Sequence, residues 1–342
     1  MARKAEMARR RGPGGGPRAW LAAAAILALS GLLPGQAAWA IDPDAGTGGA
    51  AFMKIGIGNA RALSLGRAYV ALAEGTDAMT WNPAGLALTQ QREFTYSYLR
   101  YIQEIDSPFY MAYAHPLGRT VLGVNGAYLS IDDFDVRDEQ GRQLNSSDVR
   151  VQDGFATLSI ARSFWYEKMF LGASLKAVHE DNDGTIHDIL AGDFGALLRP
   201  NSYVTFGFAS QNFGAGTTRI ARITRGGAAV RLFDMLTTSI EINKAADGPV
   251  RMGLGGEFLL PEDLLQVGQV YLRVGYHSTD DMGRVLEDDR HMAYPLVGSP
   301  NLSFGIGLFT AQAFGYGIAF DYALVSLGTL GTADMLSLKL KF

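Results

Sequence analysis

The last eight residues, Met335-Leu336-Ser337-Leu338-Lys339-Leu340-Lys341-Phe342, alternate strictly. Successive side chains of an extended strand point to opposite faces, so Leu336, Leu338, Leu340 and Phe342 share one face and Ser337, Lys339 and Lys341 the other. The same period of two recurs upstream. Phe314, Tyr316, Ile318, Phe320 and Tyr322 oppose Gly315, Gly317, Ala319 and Asp321; Leu302, Phe304, Ile306 and Leu308 oppose Ser303, Gly305, Gly307 and Phe309. Val270, Leu272, Val274 and Tyr276 oppose Tyr271, Arg273, Gly275 and His277, and Val250, Met252, Leu254 and Phe258 oppose Arg251, Gly253, Gly255 and Glu257. A helix would repeat at 3.6. One face of each strand is large and apolar, while the other is small, Gly-rich and sparsely charged. A soluble sandwich would cover its outer face with Lys, Glu and Thr. Small residues instead suit an interior crowded by a plug or by neighbouring strands.

Fourteen such segments are expected, at about 92–103, 107–116, 119–130, 151–163, 168–180, 187–199, 202–212, 218–232, 235–244, 249–259, 267–277, 300–310, 312–323 and 333–342. Their connections alternate. The stretches 131–150, 181–186, 213–217, 278–299 and 324–332 read as long loops. Pro116-Leu117-Gly118, Trp165-Tyr166-Glu167-Lys168, Pro200-Asn201 and a break at Ala311 read as tight turns. Long outer loops and short periplasmic turns mark outer-membrane barrels. The expected class is all-β: a transmembrane antiparallel β-barrel of about 14 strands, spanning residues 92–342. The mean hydropathy of +0.06 fits, because opposed faces cancel in the average. The absence of Cys excludes a disulfide scaffold, Cys-ligated metal and thiol catalysis. A formal net charge of −4 argues against a nucleic-acid footprint.

Residues 1–40 read as a signal peptide. Arg3, Lys4, Arg9, Arg10, Arg11 and Arg18 precede an apolar stretch from Trp20 to Leu33, and Ala38-Trp39-Ala40 is a small-residue cleavage site. The apolar stretch is shorter than the roughly 20 residues of a membrane span. Export through the general secretion route to the bacterial outer membrane is expected.

Residues 41–91 do not alternate. They are Gly/Ala-rich, with a helix-like piece at Ala68–Ala73 and a sharp turn at Trp81-Asn82-Pro83-Ala84-Gly85. Phe52, Ile55, Leu63, Leu65, Tyr69, Val70 and Trp81 are too apolar for a disordered tail. A compact hatch inside the barrel lumen is expected. Gly56-Ile57-Gly58 with Gly66 lacks dinucleotide-binding spacing. Phe52-Met53-Lys54-Ile55-Gly56 through Arg61, the Gly66–Ala73 run and Trp81-Asn82-Pro83-Ala84-Gly85-Leu86 resemble the opening signature of the PorV/PorQ family, within the broader FadL-like outer-membrane superfamily. Leu171–Lys176, Arg273-Val274-Gly275-Tyr276, Asp321-Tyr322-Ala323 and Leu327–Gly331 continue it, whereas Leu324-Val325-Ser326 departs from the aromatic-Pro-Phe sequence common in the family. The resemblance implies a 14-stranded barrel whose hatch carries an Asn-Pro-Ala motif, here Asn82, Pro83 and Ala84.

Catalytic signals are weak, and neither an enzyme nor a cofactor is expected. His179 and His187 with Ser174 read as rim residues of a hairpin. The acidic groups Asp132, Asp133, Asp135, Asp138 and Glu139, and Asp280, Asp281, Glu287, Asp288 and Asp289, lack Ca²⁺-loop spacing. The inward charges Lys176, Glu241, Arg251, Glu257, Arg273, Asp321, Lys339 and Lys341 should pair with each other, the hatch or water. Arg251 and Arg273 are also candidates for a ligand carboxylate. Phe342 ends the chain as a barrel-assembly signal. Two roles stay open: the family resemblance implies an accessory, shuttle or anchor working with type IX-like secretion components, and the superfamily implies a channel for hydrophobic molecules such as long-chain fatty acids. Outer-membrane lipid and the barrel-assembly machinery are expected partners in both.

Overall fold

The computed structural model describes residues 56–100, 108–131, 138, 140–142, 150–214, 220–265, 268–278, 301–313, 316–326 and 332–342. The expected leader at 1–40, the start of the expected hatch and most of the loops 131–150 and 278–299 lie outside them.

Fourteen strands form one closed antiparallel barrel: β1 Glu93–Arg100, β2 Phe109–Leu117, β3 Thr120–Ile131, β4 Val151–Phe164, β5 Met169–Asn182, β6 Thr185–Leu198, β7 Val204–Phe213, β8 Ile223–Leu232, β9 Leu236–Ala245, β10 Val250–Leu260, β11 Gln269–His277, β12 Leu302–Ala313, β13 Tyr316–Ser326 and β14 Thr332–Lys341. Each pairs with its sequence neighbours, and β1 closes on β14 with Glu93 opposite Lys341 and Arg100 opposite Asp334. Closure removes both sheet edges.

The alternation sorts the two faces. Leu158 is 64% exposed and Leu190 62%, and Tyr96, Tyr98, Phe206, Phe208, Leu272, Leu336 and Leu338 share that outer wall. Such a continuous apolar exterior is matched by lipid and not by water. Among the described residues no helix is long and apolar enough to cross a membrane; the strands do so. The chain is a transmembrane β-barrel.

Three local expectations are corrected. The stretch 181–186 is not a long loop: β5 and β6 run to a two-residue turn at Asp183-Gly184, both at positive φ, 52° and 83°. Asp-Gly is the preferred pair for such a hairpin turn, because its twist continues that of the strands. The break at Ala311 is absent, since β12 continues to Ala313 through a register shift after Thr310. Within 41–91, Ala68–Ala73 is not helical. The helix is Ala60–Ser64, where Asn59 caps the first turn by accepting from the Ala62 amide at 2.8 Å.

Candidate functional site

Residues 56–92 fill the lumen. After the Ala60–Ser64 helix, Gly66 and Arg67 turn the chain through the left-handed region at φ 60° and 62°. A 3₁₀ helix covers Gly75–Thr80 and another Pro83–Leu88. The expected sharp turn at Asn82-Pro83-Ala84 is the start of the second. The Asn82 side chain accepts from the Ala84 amide at 3.2 Å, and Pro83 takes the first position, where a missing N–H leaves nothing unpaired. The Asn82 amide also donates to the Val70 carbonyl at 2.8 Å and to the Ala196 carbonyl of β6 at 3.2 Å. One fully buried side chain thus caps a helix, folds the segment on itself and ties it to the wall.

Inward glycines let the segment approach the wall backbone to backbone. A Cβ on Gly275 would lie 1.9 Å from the Gly66 amide nitrogen, and one on Gly172 2.3 Å from the Pro83 carbonyl carbon. No side chain fits at either position.

Charged side chains hold what the glycines admit. Glu241 of β9 is fully buried. Its Oε2 accepts from the Tyr69 amide at 3.0 Å, the Val70 amide at 2.8 Å and the Trp81 indole at 2.9 Å. Its Oε1 accepts from Arg225 at 2.9 Å, and that guanidinium lies 4.3 Å from the centre of the Trp81 ring. On the neighbouring strands, Arg61 reaches Glu257 at 2.7 Å, Glu257 reaches Arg273 at 2.7 Å, and Arg273 reaches Asp321. Arg61 also pairs with Glu74. Asp77 meets Lys339 at 2.9 Å. Burial alone would raise the Glu74 carboxyl, but Arg61 overrides it and holds the group below its ordinary value. Burial raises the Asp77 carboxyl, and Lys339 opposes without cancelling.

The structure therefore brings Glu257, Arg273 and Asp321 together and leaves Arg251 six residues away on β10. Arg273 lies between two carboxylates, which corrects its expected role toward a ligand carboxylate: its charge is already neutralised. Arg61 closes the first stretch of the family resemblance, but nothing in the sequence points to its carboxylate partners, and Asp77 carries no signal beyond being a charge in a Gly/Ala-rich stretch. The hydrolase geometry is not assembled. Ser174 bonds Ser159 at 2.8 Å on the inner face, whereas His179 pairs with Asp188 at 2.7 Å on the outer one. Among the described residues no group of three acidic or His side chains is placed to hold a metal.

Two cavities flank the segment. One, of about 20 Å³, lies between Ile57, Trp81, Phe155, Lys176 and Arg225 and has room for a single water. The other, of about 540 Å³ and mainly polar, lies between the segment and the short-turn end of β6–β11.

No protein-family model matches the sequence, and no curated protein matches it. Solved structures do. A Pseudomonas aeruginosa FadL homologue aligns with a TM-score of 0.52 at 11% identity, over 83% of this chain and 98% of the other. The Ralstonia pickettii toluene transporter TbuX gives 0.52 at 14%, over 81% and 96%. The Pseudomonas putida toluene transporter TodX gives 0.52 at 11%, over 82% and 96%. At such identities the likeness is one of fold: a FadL-like barrel.

Proposed function

We propose that this chain is a bacterial outer-membrane channel for hydrophobic small molecules, seen in its plugged state. Residues 1–40 serve as the export signal, 41–91 as the hatch and 92–342 as the barrel. The observation that carries the reading is a lumen closed by the chain's own segment, held through ion pairs and hydrogen bonds. The FadL-like fold, shared with two toluene transporters, supports the substrate class and the outer-membrane location. The hatch opens by releasing Asn82-Pro83-Ala84 from β6 and Tyr69-Val70 from Glu241.

In proteoliposomes, the purified protein is expected to admit labelled toluene or oleate faster than empty vesicles. A second reading, implied by the sequence resemblance alone, is a secretion accessory of PorV/PorQ type. Absence of uptake, with type IX-like secretion components recovered by native pull-down, would establish that reading instead. Assembly runs through the C-terminal strand. Phe342 exchanges backbone hydrogen bonds with Arg92 at 3.0 and 3.1 Å beside the closing seam. Its deletion is expected to reduce the heat-modifiable, membrane-inserted species, and unchanged insertion would remove its proposed role in recognition by the assembly machinery.

A further inference from the structure

The 540 Å³ cavity is lined by three guanidiniums, Arg61, Arg199 and Arg231, and three carboxylates, Glu74, Glu257 and Asp234, but they are unevenly paired. Its carboxylates Glu74 and Glu257 are both engaged by Arg61, and Glu257 also by Arg273. Its other two guanidiniums, Arg199 and Arg231, form no ion pair among the described residues; Asp234, exposed on the β8–β9 turn, forms none either. Arg199 follows β6 and Arg231 lies near the end of β8. The start of β7 separates them: Leu198 pairs with Phe206, and the Arg231 amide donates to the Tyr203 carbonyl at 2.8 Å. The two backbones are thus two strand spacings apart, about 10 Å, within reach of two Arg side chains converging on one group.

Arg199 shows the need for such a group. Its Nε is buried with no hydrogen-bond partner, and its guanidinium lies 5.6 Å from the centre of the Phe170 ring. A buried N–H without an acceptor is destabilising, and a guanidinium fork is shaped for a planar or tetrahedral oxyanion. Burial pushes the Arg199 guanidinium below its ordinary value; Glu74 opposes this without cancelling it, and the neighbouring Arg231 and Arg61 add to it. An anion between them would relieve both effects. A single carboxylate would neutralise one charge. A phosphate monoester carries about −1.5 to −2 at neutral pH and matches two.

We propose that this cavity is a phosphate-monoester site in which Arg199 and Arg231 grip the oxyanion from either side of β7. It opens at the short-turn end of the barrel, where both free phosphate and a lipid headgroup are chemically reasonable sources. Its far wall is Leu72 and Glu74 of the hatch, so an occupant sits directly beneath the segment that closes the lumen.

The test is calorimetry on the full-length protein in uncharged detergent. Four probes are used: inorganic phosphate, short-chain phosphatidic acid, short-chain phosphatidylcholine and laurate. Binding of phosphate, phosphatidic acid or both is expected, and which of them binds identifies the source. Arg199→Gln and Arg231→Gln should each weaken it about tenfold or more, the loss of a charge-assisted contact. Heat-modifiability of both variants should be unchanged, since neither residue holds the hatch. Binding of neither phosphate probe, equal binding of laurate or phosphatidylcholine, or full affinity in the double variant would overturn the assignment. The inference goes beyond the channel reading and fails separately from it. Lost uptake with intact phosphate binding removes the channel; intact uptake without phosphate binding removes the site.

Discussion

The hatch is fastened to the barrel by two kinds of contact. One is steric: Gly66 meets Gly253 and Gly275, and Ser64 meets Gly305. The other is electrostatic, above all through Glu241, one carboxylate that accepts from two amides, an indole and a guanidinium. The steric side is specified by what is missing and tolerates nothing larger than hydrogen. The electrostatic side is specified by one residue whose charge can be removed while its shape is kept. The first sets where the hatch sits, and the second how firmly it stays.

The largest effect is expected from the steric side. Gly275→Leu should displace the hatch or block barrel formation outright, read as loss of both heat-modifiability and trypsin resistance of the 56–92 segment. Wild-type resistance in that variant would refute the steric half of the contrast. Next comes Glu241→Gln, which leaves Arg225 bonded to Gln211 but buried without its counter-charge. Breaking a buried pair this way costs about 3–5 kcal/mol. The measurement is the urea midpoint for trypsin cleavage after Arg61 or Arg67. Replacing both partners, with Arg225→Met added, should recover part of the loss; an additive double variant would mean that the two do not act as a pair.

Lys339→Met should matter less, because Asp77 can then neutralise itself by taking a proton. Burial already raises Asp77, so its contribution is fully present below the ordinary carboxylate range and declines as pH rises toward the raised value. Without Lys339 that decline should become steeper; an unchanged pH profile of hatch protection would uncouple the pair. The smallest effect is expected at Glu74, whose side chain is 48% exposed. Arg61 lowers it, so its contribution is present above the ordinary carboxylate range and is lost as pH falls through the lowered value. Solvent screening limits this to about 1 kcal/mol or less. Glu74→Gln should flatten the acid limb of the protection curve, and added salt should do the same to the wild type.

The wall was legible in the sequence because its signal is local. Period-two alternation locates a strand within a few residues, as at β14, whose observed range Thr332–Lys341 overlaps 333–342 almost completely. The failures at Asp183-Gly184 and Ala311 arose where a turn had to be weighed against strands able to run longer than a membrane needs. The hatch was legible only as a composition. Arg61 binds a carboxylate 196 residues away, and the Tyr69 amide one 172 residues away. No window of sequence contains both halves of either contact. Ala68–Ala73 reads as helix by propensity, but the amides of Tyr69 and Val70 bond Glu241 instead.

The seam between β1 and β14 carries a consequence for how the molecule is made. It joins the first strand of the wall to the last, so the ring is completed only when nearly all of the chain is in place. Backbone contacts as close as those at Gly275 leave no slack through which the 56–92 segment could be threaded into a finished ring. We infer that the segment lies on the concave side of a still-open sheet before Glu93 finds Lys341, and a substitution that weakens it is expected to slow closure of the ring, read as delayed appearance of the heat-modifiable species during refolding.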